Sequence, residues 1–572
     1  MSRKLPVGDG VDVILADVKM VSPALDSNPD SVLFVSVPMP GIRTFTDHKG
    51  NQSQKGDMIL ATISDKRFEK GRWGKGREIF EATDEAFISR GLLARIPAPI
   101  MEQRWSAKSI EQYLEGKEPQ VSPWEVFIAI KEKFDYYIDF ADSKYGPTVS
   151  SIYILGSYLF FLFEYFPYLK LGGEKGSGKT KTGTIFAALG FNGHLSANST
   201  KAVIYRFAQD TRGLMVIDEG ENLMHKSEEQ IAYYQVLNSG WERNGFAILS
   251  DKETLRPTKW STYCLKIICS IGGLEEVLGD RAFEIILLRT LNKLKADREA
   301  SLASGEWQPI RDSLYLFTFQ HWREIQPLVD STSNDFDFVG RVWNLAKPLL
   351  VIAKLVDKYR PKGEASIEEE IRAFIGDQAR EKAAKATESF AATVLNAVET
   401  LFLKESGKGT LDEISDAERR ISVTDVTKWV KEAEGLEKLS SRRVATTIRN
   451  LGIYRDPKRD SPTGGNRFSL TKSELESAKS RVLGGIAELT ELTEELKNTE
   501  HTEHTEGTEG KSDPHASPGE AQKIAGGSEI SSVASAPSAS SGICELCGKT
   551  DSLTRTSDGI YVCAKCLRES EP

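Results

Sequence analysis

The sequence predicts a multidomain α/β protein, and three local patterns carry that expectation. The first is the stretch "YLKLGGEKGSGKTKTGT", in which Gly173-x-x-x-x-Gly178-Lys179-Thr180 follows a strand-like segment and opens a helix-like one. Downstream, "GLMVIDEGENL" supplies an apolar strand that ends in Asp218 and Glu219. Near the C-terminus, Cys544-x-x-Cys547 and Cys563-x-x-Cys566 are separated by fifteen residues. Together they predict a P-loop NTPase core with a helical lid, a winged-helix domain and a C-terminal four-cysteine, zinc ribbon-like module.

Size and composition set the frame. A chain of 572 residues is long enough for roughly three or four domains. Its formal charge of -9 gives no global nucleic-acid signature, so any such contact must come from local basic surfaces. The start, "MSRKLPVGDGVDV", has no apolar secretion segment, and six cysteines are too few for a disulfide framework. A reducing, cytoplasmic location is expected. The greasiest run, "IYILGSYLFFLFEYFPYL", soon meets Glu164 and is too short for a membrane span. It is expected as a buried helix beneath the phosphate loop, with no membrane partner.

Taken in order, residues 1–120 alternate short Val/Ile-rich runs with Gly, Pro and charged loops, which predicts a small β-containing or α+β accessory domain. Within it "GRWGKGR" is a flexible basic loop around Trp73, read as a solvent-facing hairpin. Residues 121–300 hold the P-loop core with its preceding helices. Residues 301–405 repeat apolar positions three and four apart, as expected of a helical lid and connector. Residues 415–480 change to two short helices, a strand, a Gly-rich turn and another strand, the pattern of a winged helix. Residues 486–541 are acidic and then Ser/Ala-rich, contain "TEHTEHTEGTEG", and predict a disordered linker. Residues 542–572 form the cysteine module.

The chemistry of the first two motifs is that of a bound triphosphate. The loop Gly173, Glu174, Lys175, Gly176, Ser177 and Gly178 turns backbone N–H groups toward phosphates, and Lys179 reaches the β- and γ-phosphates. Thr180 and Asp218 are the expected holders of Mg2+, and Glu219 the group that polarises an attacking water. ATP and Mg2+ are the expected cofactors.

The segments "YLFFLFEYFPYLKLGGEKGSGKTKT", "LSANSTKAVIYRFAQDTRGLMVIDEGENL", "QVLNSGWERNG" and "LKIICSIGGLEEVLGDRAFEIILLR" together resemble the ATPase module of phage and mobile-element replication helicase-like proteins. These are oligomeric P-loop ATPases, broadly similar to AAA+ machines and to the ATPase half of primase-helicases. The resemblance covers about residues 123–360. It implies that Asn238 organises the next strand or contacts substrate, and that Ser270 is a polar sensor of the γ-phosphate. It further implies an arginine finger or inter-subunit sensor at Arg281, and a second sensor at Arg341. The activity it implies is an ATP-driven DNA helicase or DNA remodeller acting in replication as a homo-oligomer, with a hexamer among its forms. An ATP-dependent protein remodeller with client-binding terminal domains is the alternative.

Single-stranded DNA is the expected partner during translocation, alongside a replication protein. The second short helix carries Arg442, Arg443 and Arg449, and the following turn and strands add Lys458, Arg459 and Arg467. In a winged helix these would divide between groove and phosphates. The four cysteines fit one structural Zn2+ held by Cys544, Cys547, Cys563 and Cys566; two disulfides or isolated thiols are the alternative.

Overall fold

The computed structural model describes the chain apart from residues 1–2, 9–10, 16–18, 28–31, 98–103, 142, 197–200, 221–227, 251–255, 275, 335–339, 388, 412, 436–438, 460–465, 481–540, 544–549, 556–560 and 564–572. It forms two compact units, Met1–Asn498 and Thr499–Pro572.

After an antiparallel pair, Arg3–Gly8 with Val11–Leu15, and the short strand Lys19–Val21, the first unit has β1 (Leu25–Ser27), β2 (Leu33–Thr46), β3 (Gln52–Ser64) and β4 (Glu78–Glu81), an antiparallel sheet in chain order. Only the inner half of the β2–β3 hairpin is buried. Alternation splits its side chains between two faces. Leu33, Val35, Val37 and Ile63 join the main core, while Phe34 and Leu60 pack with Phe87 in a smaller one. Asp65, just past β3, accepts from the Trp322 indole at 3.1 Å and Arg323 at 2.6 Å, tying this sheet to the helices that follow the parallel sheet. In the "GRWGKGR" stretch, Arg72–Gly74 pairs with Arg67–Glu69, and Trp73 is half-buried edge-on against Phe68.

After the short helices Asp84–Ser89 and Ala107–Glu115 come α1 (Pro123–Tyr137) and α2 (Gly146–Ser157), the latter buried at every residue. The greasy run is therefore not one continuous helix. It leaves α2 at Ser157, makes a 3-10 turn at Phe160–Leu162, and enters β5 (Tyr168–Gly172). Pro167 has no N–H with which to extend a helix, and its carbonyl is taken by the Tyr153 hydroxyl at 3.0 Å. Among the described residues no helix is long and apolar enough to cross a membrane.

The core sheet continues with α3 (Lys179–Leu189), β6 (His194–Ser196), α4 (Lys201–Thr211), β7 (Met215–Ile217), α5 (Glu228–Ser239), β8 (Phe246–Ser250), β9 (Pro257–Ser261), β10 (Lys266–Ser270), α6 (Glu276–Gly279) and β11 (Ala282–Ile286). Five strands are parallel, in the order β6-β7-β10-β5-β11. β5 and β10 are buried at every residue, as strands covered on both faces must be. β10 thus lies between the strand that enters the phosphate loop and the strand that ends in Asp218. β8 and β9 form a separate antiparallel hairpin inserted ahead of β10.

Helices α7 (Gln308–Ser331), α8 (Arg341–Lys358), α9 (Ile367–Thr387) and α10 (Phe390–Ser406) follow. Ile367, Ile371 and Ile375 of α9 belong to the main core, whereas Val394, Val398 and Phe402 of α10 belong to another. That second core gathers α10, β12 (Arg419–Ser422), α11 (Val423–Glu434), α12 (Ser441–Asn450) and β14 (Asn466–Leu470), and β13 (Arg455–Arg459) pairs with β14. Its sheet is antiparallel in the order β12-β14-β13. Ser422 and Ser440 cap the starts of α11 and α12 through their hydroxyls, and Gly435 ends α11 in the left-handed region.

In the second unit, β15 (Ser541–Ile543), β16 (Thr550–Arg555) and β17 (Tyr561–Cys563) pair antiparallel in chain order. Cys544, Cys547, Cys566, the side chain of Cys563 and residues 486–540 of the expected linker lie outside the described residues. Among the described residues no group of His, Cys, Asp or Glu is arranged to hold a metal ion.

Candidate nucleotide site and arginine face

The phosphate loop joins β5 to α3, and its path admits only glycine at several points. Gly173, Gly176 and Gly178 have φ of +141°, +82° and +93°, where a side chain is strained. At Gly173 a Cβ would also lie 2.2 Å from the Leu287 carbonyl oxygen. The loop ends at the N-terminus of α3, whose unpaired N–H groups make an anion site. Lys179 Nζ is held by the loop itself, donating to the carbonyls of Gly173 at 2.6 Å and Glu174 at 2.9 Å.

Tertiary folding brings the second motif to the first. The Thr180 hydroxyl donates to Asp218 Oδ2 at 2.9 Å, and the Asp218 N–H donates to the Ser196 carbonyl, which fixes the end of β7. Glu219 follows in a left-handed conformation at φ +55°, uncommon outside glycine and typical of residues that the surrounding structure aims at a site. These groups line a cleft of about 760 Å³. A hydroxyl beside a carboxylate is a hard oxygen pair of the kind Mg2+ takes, so Thr180 and Asp218 fit that ion.

The opposite wall of the cleft was not legible in the sequence. Asp139, after α1, accepts from the Thr290 hydroxyl at 2.6 Å, which holds its carboxyl below the usual carboxylate range. Lys181 Nζ reaches the carbonyls of Lys295 and Ala296, and Lys295 Nζ in turn reaches that of Ile138. Three segments distant in sequence meet here. Of them, only Lys181 lies inside a recognisable motif.

Ser270 is at the end of β10, as expected, but its hydroxyl donates to the Gly272 carbonyl at 2.8 Å. Strand alternation turns its neighbours Cys269 and Ile271 into the cleft instead. Asn238 sits in the last turn of α5, with its Oδ1 buried.

Arg281 and Arg341 lie away from the cleft of their own chain. β5 and β11 are parallel with Tyr168 beside Ala282 and Gly172 beside Ile286, so Arg281 precedes the strand end opposite the phosphate loop. Four residues of strand put roughly 13 Å between those ends. The Arg281 carbonyl accepts from the Tyr168 N–H, and its guanidinium donates to the Val277 carbonyl while Nε is buried without a partner. Arg341, the first residue of α8, pairs with Asp280 at 3.2 Å. Both guanidinium carbons stand 5.8 Å from the ring centre of Trp241. The two residues expected as separate sensors thus form one arginine face.

Two further surfaces stand outside the cleft. On α12, Val444 and Ile448 are buried and Arg442, Arg443 and Arg449 exposed. Arg443 lies over Phe390 and Arg449 over Tyr454. Lys458 and Arg459 fall in β13, their side chains outside the described residues, and Arg467 is half-buried in β14. The β8–β9 hairpin, which sequence reasoning missed, leaves Phe246 at 43% and Ile248 at 59% exposure, with Lys259 Nζ over the Phe246 ring. Its signal was present as two alternating runs, "FAILS" and "PTKWS", around a charged turn.

No protein-family model matches this chain, and no curated protein matches it. Among solved structures it is similar to the active helicase Cch of SCCmec type IV, at 14% identity over 79% of this chain and 97% of that one, with a TM-score of 0.35. It is also similar to the C-terminal region of NrS-1, at 12% identity over 75% and 96%, TM-score 0.29. A full-length MCM homologue from Methanopyrus kandleri is similar at 9% identity over 61% and 78%, TM-score 0.27. At this level the ground for a functional reading is the geometry of the site itself.

Proposed function

We propose that this chain is a Mg2+- and ATP-dependent, oligomeric, helicase-like ATPase that remodels DNA, acting in replication of a phage, plasmid or other mobile element. The observation that carries the reading is the meeting of Thr180 with Asp218 at the rim of a glycine-built phosphate loop, with Glu219 beside them. The loop amides and Lys179 hold and orient the phosphates, and Thr180 and Asp218 hold the metal ion. Bound Mg2+ would neutralise charge on the phosphate oxygens. Glu219 orients the attacking water and accepts its proton. Arg281 and Arg341 serve the nucleotide of a neighbouring copy.

DNA is assigned to the parts that stand off the sheet. The β8–β9 hairpin is followed closely by β10, whose end borders the cleft, so a change at the phosphates is delivered to the hairpin through one buried strand. The helix–strand–helix–helix–strand–strand order from α10 to β14 supports a winged helix with α12 as its basic face. Single-stranded DNA should raise ATP turnover of the full-length protein several-fold, as contacts to phosphates are coupled to the cleft. Reversing Arg442 and Arg443 to Glu should weaken DNA binding and flatten its salt dependence. Stimulation by a protein client with no response to DNA would replace this reading by a protein remodeller.

The cysteine spacing supports a structural zinc ion held by Cys544, Cys547, Cys563 and Cys566, since four thiolates leave no position open for water. Elemental analysis of reduced, undenatured protein should find about one zinc per chain, lost in C544S or C563S with basal ATPase activity retained. A metal-free preparation would overturn the zinc reading and leave isolated thiols, or disulfides in oxidised protein.

A further inference from the structure

The arginine face has a support that the reading above leaves without a role. Trp241 lies in the segment "GWERNG" between α5 and the β8–β9 hairpin, and it is only 8% exposed. Its ring stacks on Tyr165 at 4.8 Å with 24° between planes. The segment is zipped to the chain that leads into β5. The Phe166 N–H donates to the Trp241 carbonyl at 2.9 Å, the Arg243 N–H to that of Glu164 at 2.8 Å, and Tyr165 bridges Glu242. On its other side, the Thr262 N–H donates to the Gly245 carbonyl at 3.0 Å.

The packing around this segment is close enough to fix it. A Cβ at Gly240 would sit 2.5 Å from the Thr262 carbonyl oxygen and 2.6 Å from Lys266 Nζ; one at Gly245 would sit 1.7 Å from the Ser239 carbonyl oxygen. Lys266 is fully buried beneath it and donates to the carbonyls of Thr262 at 2.8 Å, Cys264 at 3.1 Å and Gly240 at 3.3 Å. A buried ammonium is retained only where such acceptors compensate its desolvation, so these bonds pin the base of the loop to β10.

Two guanidinium groups at one ring would repel each other without an anchor. Each lies within the distance at which the negative face of an indole attracts a cation, and Asp280 neutralises one of them. We propose that Trp241 is a positioning residue that holds Arg281 and Arg341 together as one anion-binding face for the triphosphate of a neighbouring copy. Through the 240–245 segment, the same residue ties that face to the base of the β8–β9 hairpin. The proposal rests on the trans role given to the arginines above. It adds the part of the chain through which the neighbour's nucleotide acts on this subunit.

The test compares full-length W241L, which keeps apolar bulk but no ring, with W241F, which keeps a ring. W241L should bind ATP as the wild type does yet turn it over about tenfold more slowly, the size expected of two lost cation–π contacts. W241F should recover most of that loss. Each variant is then mixed with K179A, whose own phosphate site is disabled but whose arginine face is intact. The W241L and K179A mixture should exceed the sum of its separate activities, as should R281A with K179A. Wild-type turnover in W241L would overturn the proposal. So would rescue of R281A without rescue of W241L, since Trp241 would then serve its own subunit's fold. Failure of the R281A mixture would instead remove the trans reading, and this proposal with it. Should W241L not assemble, W241M, with a flexible side chain that fills irregular space, is judged by the same outcomes.

Discussion

Exchange of Glu219 for Gln is expected to leave ATP bound and to slow its hydrolysis by roughly 10^2 to 10^4, the range of a lost general base. The substitution keeps size and hydrogen-bonding shape but removes the proton acceptor. Glu219 is the strongest choice for that acceptor because it follows the metal-holding Asp218 directly and is held in a left-handed conformation that orients it at the cleft. Its backbone N–H donates to Asp218 Oδ1 at 3.1 Å, which fixes the Asp218 carboxylate beside it. Nucleotide affinity measured beside single-turnover hydrolysis separates binding from chemistry. Wild-type hydrolysis in E219Q would move the base to another group. Loss of binding would instead mean that Glu219 supports the loop.

The second large effect is expected at Arg281. R281A should retain nucleotide affinity and lose roughly 10^3-fold or more in turnover, the scale of a missing arginine finger. Burial first, and then the neighbouring Arg341, lowers the Arg281 pKa from its ordinary value, so its positive charge is held at a cost that an incoming anion relieves. Arg281 precedes the strand end opposite its own phosphate loop and Arg341 shares the Trp241 ring with it, so a neighbouring copy is the natural source of that anion. Wild-type turnover per chain should therefore rise with protein concentration through the range in which copies associate, and R281A should stay flat. Equal turnover in the two proteins across that range would reject the finger.

The local parts of the site were legible because their chemistry is local. A phosphate loop needs glycine where φ is positive, a lysine and a hydroxyl at the start of the helix, and all of these lie within a few residues of one another. The acidic pair was legible for a similar reason, as an apolar strand that must end where its carboxylates emerge. The short helix α12 and its arginines were legible too, and the structure turns Val444 and Ile448 inward and Arg442, Arg443 and Arg449 outward. Other features required the tertiary structure. That β10 lies between β5 and β7 is a matter of strand order, which no single segment encodes. The direction of the Ser270 hydroxyl was set by alternation and by the Gly272 carbonyl, and the far wall around Asp139, Thr290 and Lys295 by segments distant in sequence.

By itself, the sequence determined the composition of the phosphate site and the periodicity of the elements around it, because backbone conformation and side-chain spacing are short-range properties. Only the tertiary structure decided that Arg281 and Arg341 share the Trp241 ring, far from their own phosphate loop. That juxtaposition depends on β11 running parallel to β5, on α8 starting beside Asp280, and on a buried Lys266 pinning the loop between them. Each is a long-range contact whose energy exists only after the chain has closed on itself.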